Sequence, residues 1–160
     1  MAHKPSKSPL LKLWKTFGGN AFGHWLVSRI VCFKAPYFSS IKPTFRDIRP
    51  GRVEVSFKKR RRVQNHIGTV HAIAMCNAAE LAGGTCLDVS LNSDFRWIPV
   101  GMTVHYLKMA KTDLRAVCEV PAYDWDTAQD VVMPVSVTDA KGVEVFHADI
   151  TMRISLRSKA

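Results

Sequence analysis

Residues Asn65 to Gly84 read NHIGTVHAIAMCNAAELAGG, and this stretch decides the fold. From Val70 to Ala82 only His71, Asn77 and Glu80 interrupt a run of small and aliphatic residues. Thr69 can cap the start of a helix with its hydroxyl, and Gly83 or Gly84 can take the left-handed position that ends one. The expected helix has about 13–15 residues and is roughly 20 Å long. At about 100° per residue the apolar positions go all the way round, which is the mark of a buried helix. It is too short for a membrane span, which needs about 20 strongly apolar residues. Glu80 is therefore expected in the interior, with Asn77 about 60° away on the same side and His71 on the opposite face. A carboxylate so placed has to be paired, hydrogen-bonded or catalytic.

The other bounds are broad. A chain of 160 residues suits one domain with its own core. Its net charge of +10 points to an anionic partner, or else to simple solubility charge. Cys32, Cys76, Cys86 and Cys118 lack zinc or disulfide spacing and read as buried apolar residues in a reducing compartment. Lys12, Lys15, His24 and Arg29 break every candidate signal segment, so a cytoplasmic protein without a transmembrane helix is expected.

Outward from the helix, residues 1–8 read as a frayed polar arm. Two amphipathic helices between Pro9 and Phe33, broken at Gly18-Gly19-Asn20, follow. Packing on the outside of the next domain is their ordinary role, preferred here over contact with a membrane surface. Pro36, Pro43 and Pro50 suggest an irregular connection, so residues 1–43 form an arm with helices and 44–160 the main domain. Strands are expected at Arg52–Lys58, Val100–Met109, Leu114–Val120, Val131–Thr138 and Val143–Leu156, with a hairpin turn at Asp139–Gly142. Strand, one apolar helix, then four strands on short turns describes an α+β chain: an antiparallel meander wrapped around one helix, the hotdog arrangement.

The spacing Asn65-x2-Gly68-x2-His71-x8-Glu80 resembles the signature of hotdog acyl-CoA thioesterases of the phenylacetate-pathway type. The chain as a whole is similar to a bacterial hotdog subfamily of unassigned function, through Ala35-Pro36-Tyr37-Phe38, the run Asn65 to His71, and Arg96-Trp97-Ile98-Pro99. The thioesterase resemblance covers roughly residues 45 to 155. It implies a homodimer, or a dimer of dimers, with the site at the subunit interface. It also implies Glu80 as general base or nucleophile and the backbone N–H of Ala72 as polariser of the thioester carbonyl. Asn65 and His71 match positions that shape the catalytic loop and the start of the helix. Two departures stand out. The family's His-Gly-Gly is His71-Ala72-Ile73 here, which narrows the approach to the backbone but keeps the N–H. Glu80 replaces the Asp of many relatives and adds a methylene of reach.

Thioester hydrolysis needs an activated nucleophile and donors aimed at the developing oxyanion, and a helix N-terminus supplies oriented N–H groups. Around that centre, Gly68, Asn77, Arg96 and Trp97 are candidate substrate-binding residues. Lys59, Arg60, Arg61 and Arg62, in the run from Lys58, are candidates to hold the phosphates of coenzyme A or an acidic acyl carrier protein. No residue set calls for a metal, and no cofactor beyond the thioester substrate is expected. Each candidate also has a plainer reading: a solvent-reaching Glu80, a capping His71, an Asn77 bonded to backbone, a core Trp97 and a solvated charge run. An acyl thioesterase is the preferred function. A non-catalytic acyl-thioester-binding hotdog protein is the first rival. A nucleic-acid-binding protein is the remote one, since charge alone argues for it.

Overall fold

The computed structural model describes residues 8–120 and 127–157. Of the polar arm only Ser8 falls among them, and it is not frayed: it is buried, and its hydroxyl donates to Asp88 at 2.8 Å. Helices α1 (Pro9–Phe17) and α2 (Ala21–Lys34) flank the expected break, where Asn20 caps α2 by accepting from the Gly23 amide. A 3-10 segment, Pro36–Ile41, leads into strands β1 (Thr44–Arg49) and β2 (Arg52–Phe57). Helix α3 (Ala72–Ser90) follows, then β3 (Phe95–Tyr106), β4 (Leu114–Glu119), β5 (Asp130–Thr138) and β6 (Glu144–Leu156).

The six strands form one antiparallel sheet in the order β1-β2-β4-β5-β6-β3. Only β4–β5–β6 is a true meander. β3 crosses to the far side of β6 and becomes an edge, while β2 pairs with β4. Strands β2, β4, β5 and β6 turn alternate residues inward, among them Val53, Val55, Ala116, Met133, Ile150 and Met152, all fully buried. Each of these Val, Ile and Met side chains contributes about 1.5–3 kcal/mol through the area it removes from water. The sheet curls round α3, of whose 19 residues fourteen are buried. This is the hotdog fold expected from the all-round apolar helix.

The differences from expectation have local causes. Strand β1 lies where three prolines suggested irregular chain. Pro43 and Pro50 stand just outside its ends, and a register shift between Phe45 and Asp47 breaks the alternation that would have revealed it. β3 starts at Phe95, earlier than expected, and passes through Pro99, which only an edge strand tolerates. Helix α3 runs past both glycines to Ser90. Gly84 is there for close packing: a Cβ would sit 2.8 Å from Cη2 of Trp97. The expected turn does form at Asp139–Gly142, with Gly142 at φ +79° and Asp139 Oδ1 accepting from the amides of Lys141 and Val143.

At the other edge, α2 docks on β1. The Ser28 hydroxyl accepts from the Phe45 amide, and Arg29 donates to the Pro43 carbonyl. All four cysteines are free thiols, three of them buried. The Cys118 thiol is pushed well up by its contact with the Cys86 thiol and by burial, so it stays neutral and apolar.

Candidate active site

The loop before α3 is organised by Asn65. Its Oδ1 accepts from the amides of Ile67 and Thr69, its Nδ2 donates to the Thr69 hydroxyl, and its backbone N–H donates to the Thr69 carbonyl. Gly68, at φ +76°, closes this turn and donates to the Asn65 carbonyl. Asn65 and Gly68 therefore hold the loop, and every polar atom of the Asn65 side chain is spent on it.

The N-cap of α3 is His71, not Thr69. Its Nδ1 accepts from the Ile73 amide at 3.1 Å, and its carbonyl takes the amides of Ala74 and Met75. Nδ1 acting as acceptor leaves the ring proton on Nε2. Among the first amides of the helix, Ala72 N–H is the one without a hydrogen-bond partner among the described residues. A helix N-terminus leaves its first amides without intrahelical partners, so this donor is open to an acceptor from outside.

Glu80 does not sit in the interior. It is exposed, although its neighbours Ala79 and Leu81 are buried. Its carboxylate has no ion pair or side-chain hydrogen bond among the described residues. The only other exposed residue of α3 is Ile73, seven positions earlier and so on the same stripe. The half-buried Cys76 lies between them, its Sγ 3.8 Å from the Tyr106 hydroxyl of β3. The apolar pattern concealed this stripe because Ile73 and Cys76 are themselves apolar, and a helix wheel cannot tell cover by the same chain from cover by another.

Asn77 is buried and turned toward the N-terminal extension, where its Nδ2 donates to Ser40 Oγ at 3.0 Å and to the Tyr37 carbonyl at 3.5 Å. A pocket of about 170 Å³ opens beside it, lined among others by Tyr37, Arg62, His71 and Ile73. Trp97 is half-buried, its ring laid on Gly84, and Arg96 is exposed on β3 with its Nε 3.3 Å from Ser155 Oγ.

The basic run divides. Lys58 and Arg60 line a groove of about 760 Å³ on the outer face of the sheet, together with Lys42, Arg46 and Arg115. Arg60 is bound to the Ser40 carbonyl, and Lys59 donates its backbone N–H to Asp113. Arg61 and Arg62 project from a short 3-10 turn, and Arg62 alone reaches the pocket at the start of α3. Among the described residues no cluster of three His, Cys, Asp or Glu could hold a metal ion. Ser40 and Tyr106, which border these features, carry no signal in the sequence that would have singled them out, and Tyr37 stood out only as part of the run Ala35 to Phe38.

The structure is similar to that of a solved structural-genomics target with 45% identity, TM-score 0.82, covering 92% of this chain and 98% of that one. A Pseudomonas aeruginosa protein, described as of unknown function and a probable thioesterase, aligns at TM-score 0.75 with 22% identity over 82% of this chain and 95% of its own. A Haemophilus influenzae thioesterase aligns at TM-score 0.68 with 10% identity over 77% and 85%. At such identities these last two speak for the fold alone. No curated protein matches the sequence. Residues 23–154, from within α2 almost to the end of β6, match one family, and the chain belongs to it: the domain of unknown function DUF4442, built here on the hotdog fold.

Proposed function

We propose that two copies of this chain form an acyl-CoA or acyl-carrier-protein thioesterase. The observation that carries this reading is the pair of groups left unclaimed on α3: the Ala72 N–H and the Glu80 carboxylate. In one helix they are about 12 Å apart along the axis and about 80° apart around it. They would meet one thioester more readily across a two-fold contact, with Ala72 from one copy and Glu80 from the other. In that arrangement the Ala72 N–H polarises the carbonyl and holds the oxyanion. Glu80 takes a proton from water attacking the carbonyl carbon, and the intermediate expels the thiolate. Cover by the second copy also supplies the desolvation that makes a fixed dipole effective. The shared fold with proteins described as thioesterases supports the reaction class. The four free thiols agree with a reducing cytoplasm, where coenzyme A thioesters are handled.

Glu80→Gln tests this directly, with thiol release measured over a panel of acyl-CoAs. The expected fall in kcat is at least about 10²-fold, the low end for a positioned general base. Binding and thermal stability should hold, because Gln keeps the size of the side chain and within one chain Glu80 is exposed without a partner among the described residues. A Gln variant as active as the wild type would move the reaction off this helix. The second reading, an acyl-thioester-binding protein without hydrolysis, is favoured by Ile73 standing exposed at the helix N-terminus where the resembled family has glycine. It predicts saturable acyl-CoA binding with no thiol release by either form.

A further inference from the structure

The sheet's β1 edge carries an apolar surface that the proposed chemistry does not use. On α2, Phe22, Trp25 and Phe33 are 67%, 51% and 89% exposed. They fall within an arc of about 80° and extend over roughly 16 Å of helix. Gly23, Val27 and Ser28 face the other way and are buried, and the buried Cys32 lies at the border of the stripe. The burial of α2 against β1 is thus complete without the aromatic stripe. Phe17 and Tyr37 add exposed rings at either end of the helix.

Along the chain, the charge of this N-terminal region has one sign, Lys4 and Lys7 lying outside the described residues. Lys4, Lys7, Lys12, Lys15, Arg29, Lys34, Lys42 and Arg46 precede the first carboxylate of the chain, Asp47. Those eight cations account for most of the net charge of +10. Lys12, Lys15, Lys34 and Lys42 are exposed, and none forms an ion pair among the described residues.

We propose that this face of α1 and α2 docks the protein on an anionic lipid bilayer. Aromatic rings seat at headgroup depth, and lysines lie along the surface with their ammonium groups on lipid phosphates. Docking is peripheral, since no described helix is long and apolar enough to cross a membrane. A second copy is a poor occupant: a two-fold contact through this face would set lysines against lysines. Nucleic acid would use the cations but leave the stripe of rings in water. Because α2 lies against β1, at the opposite edge from β3, docking and pairing of copies along β3 do not compete.

The full chain is floated with phosphatidylcholine vesicles containing about 30% phosphatidylglycerol, and with phosphatidylcholine alone. Partitioning should be at least about tenfold stronger on the anionic vesicles and should weaken with salt. The Phe22→Ser/Trp25→Ser/Phe33→Ser variant and the Lys12→Glu/Lys15→Glu/Lys34→Glu variant should each lose about tenfold or more. Anionic vesicles should shift tryptophan emission to the blue, and Trp25→Phe, a mild change at an exposed site, should remove most of that shift. Equal binding to neutral vesicles, unchanged binding by the charge variant, or a blue shift that survives Trp25→Phe would overturn the proposal. So would an aromatic variant whose oligomeric state changes in sedimentation without vesicles, which would make the face a contact between copies. None of these readouts depends on thioester hydrolysis.

Discussion

The two edges of the sheet solve the same problem differently. An edge strand presents unpaired backbone groups that invite another strand. At β1 the chain covers its own edge: α2 lies against the strand, and Ser28 accepts the Phe45 amide. At β3 it does not. The twelve-residue strand pairs only with β6, and Ile98, Val100, Tyr106, Leu107 and Met109 stand exposed on or just beyond it. The candidate catalytic stripe, Ile73–Cys76–Glu80, is tied to this open edge through Cys76 and Tyr106. An edge closed from within is free to face something other than protein. An edge left open beside the candidate site is where, on the function proposed above, a second copy would bring the other half of the chemistry.

The sharpest way to break this contrast is to charge the open edge. Ile98→Lys with Val100→Lys should yield a monomer in sedimentation velocity, since like charges would oppose each other across a two-fold contact. Thiol release should fall at least about 10²-fold, because Ala72 and Glu80 would no longer share a substrate. A variant that stays dimeric and active would put the contact elsewhere.

The next effect distinguishes the two ends of the basic run. Arg62, at the pocket beside His71, should matter for coenzyme A affinity, whereas Arg60, held by the Ser40 carbonyl over the outer groove, should not. Arg62→Ala should raise KM by about five- to tenfold at low salt with kcat nearly intact, the pattern of uniform binding lost. Arg60→Ala should change KM less than about twofold. Steady-state kinetics at two ionic strengths would decide, and equal effects would return the run to plain surface charge.

The smallest effect concerns the closed edge. Asn77 fastens the Pro36–Ile41 segment to α3 through Ser40 and the Tyr37 carbonyl. Asn77→Ala should cost about 1 kcal/mol, the net value of such bonds, and lower the melting temperature by about 2–4 °C. Per-site turnover should be unchanged. A loss of kcat at full stability would instead make Asn77 a substrate-binding residue.

The sequence by itself determined that one helix would be buried and a sheet wrapped round it, because all-round apolarity leaves a helix no solvated face. It also marked the strands that alternate cleanly, the break between α1 and α2 at Gly18-Gly19-Asn20 and the Asp139–Gly142 turn, since each of these is written in neighbouring residues. Three things were left to the tertiary structure. Gly83 and Gly84 looked like a helix end, and only the Trp97 ring lying on Gly84 explains why α3 runs through. Strand β1 was hidden by its bulge and flanking prolines, and became visible as the partner of β2. Glu80 was read as interior, yet it lies on a stripe the chain leaves bare. Periodicity reports how apolar a face is, and what covers that face is decided by which elements the fold brings against it.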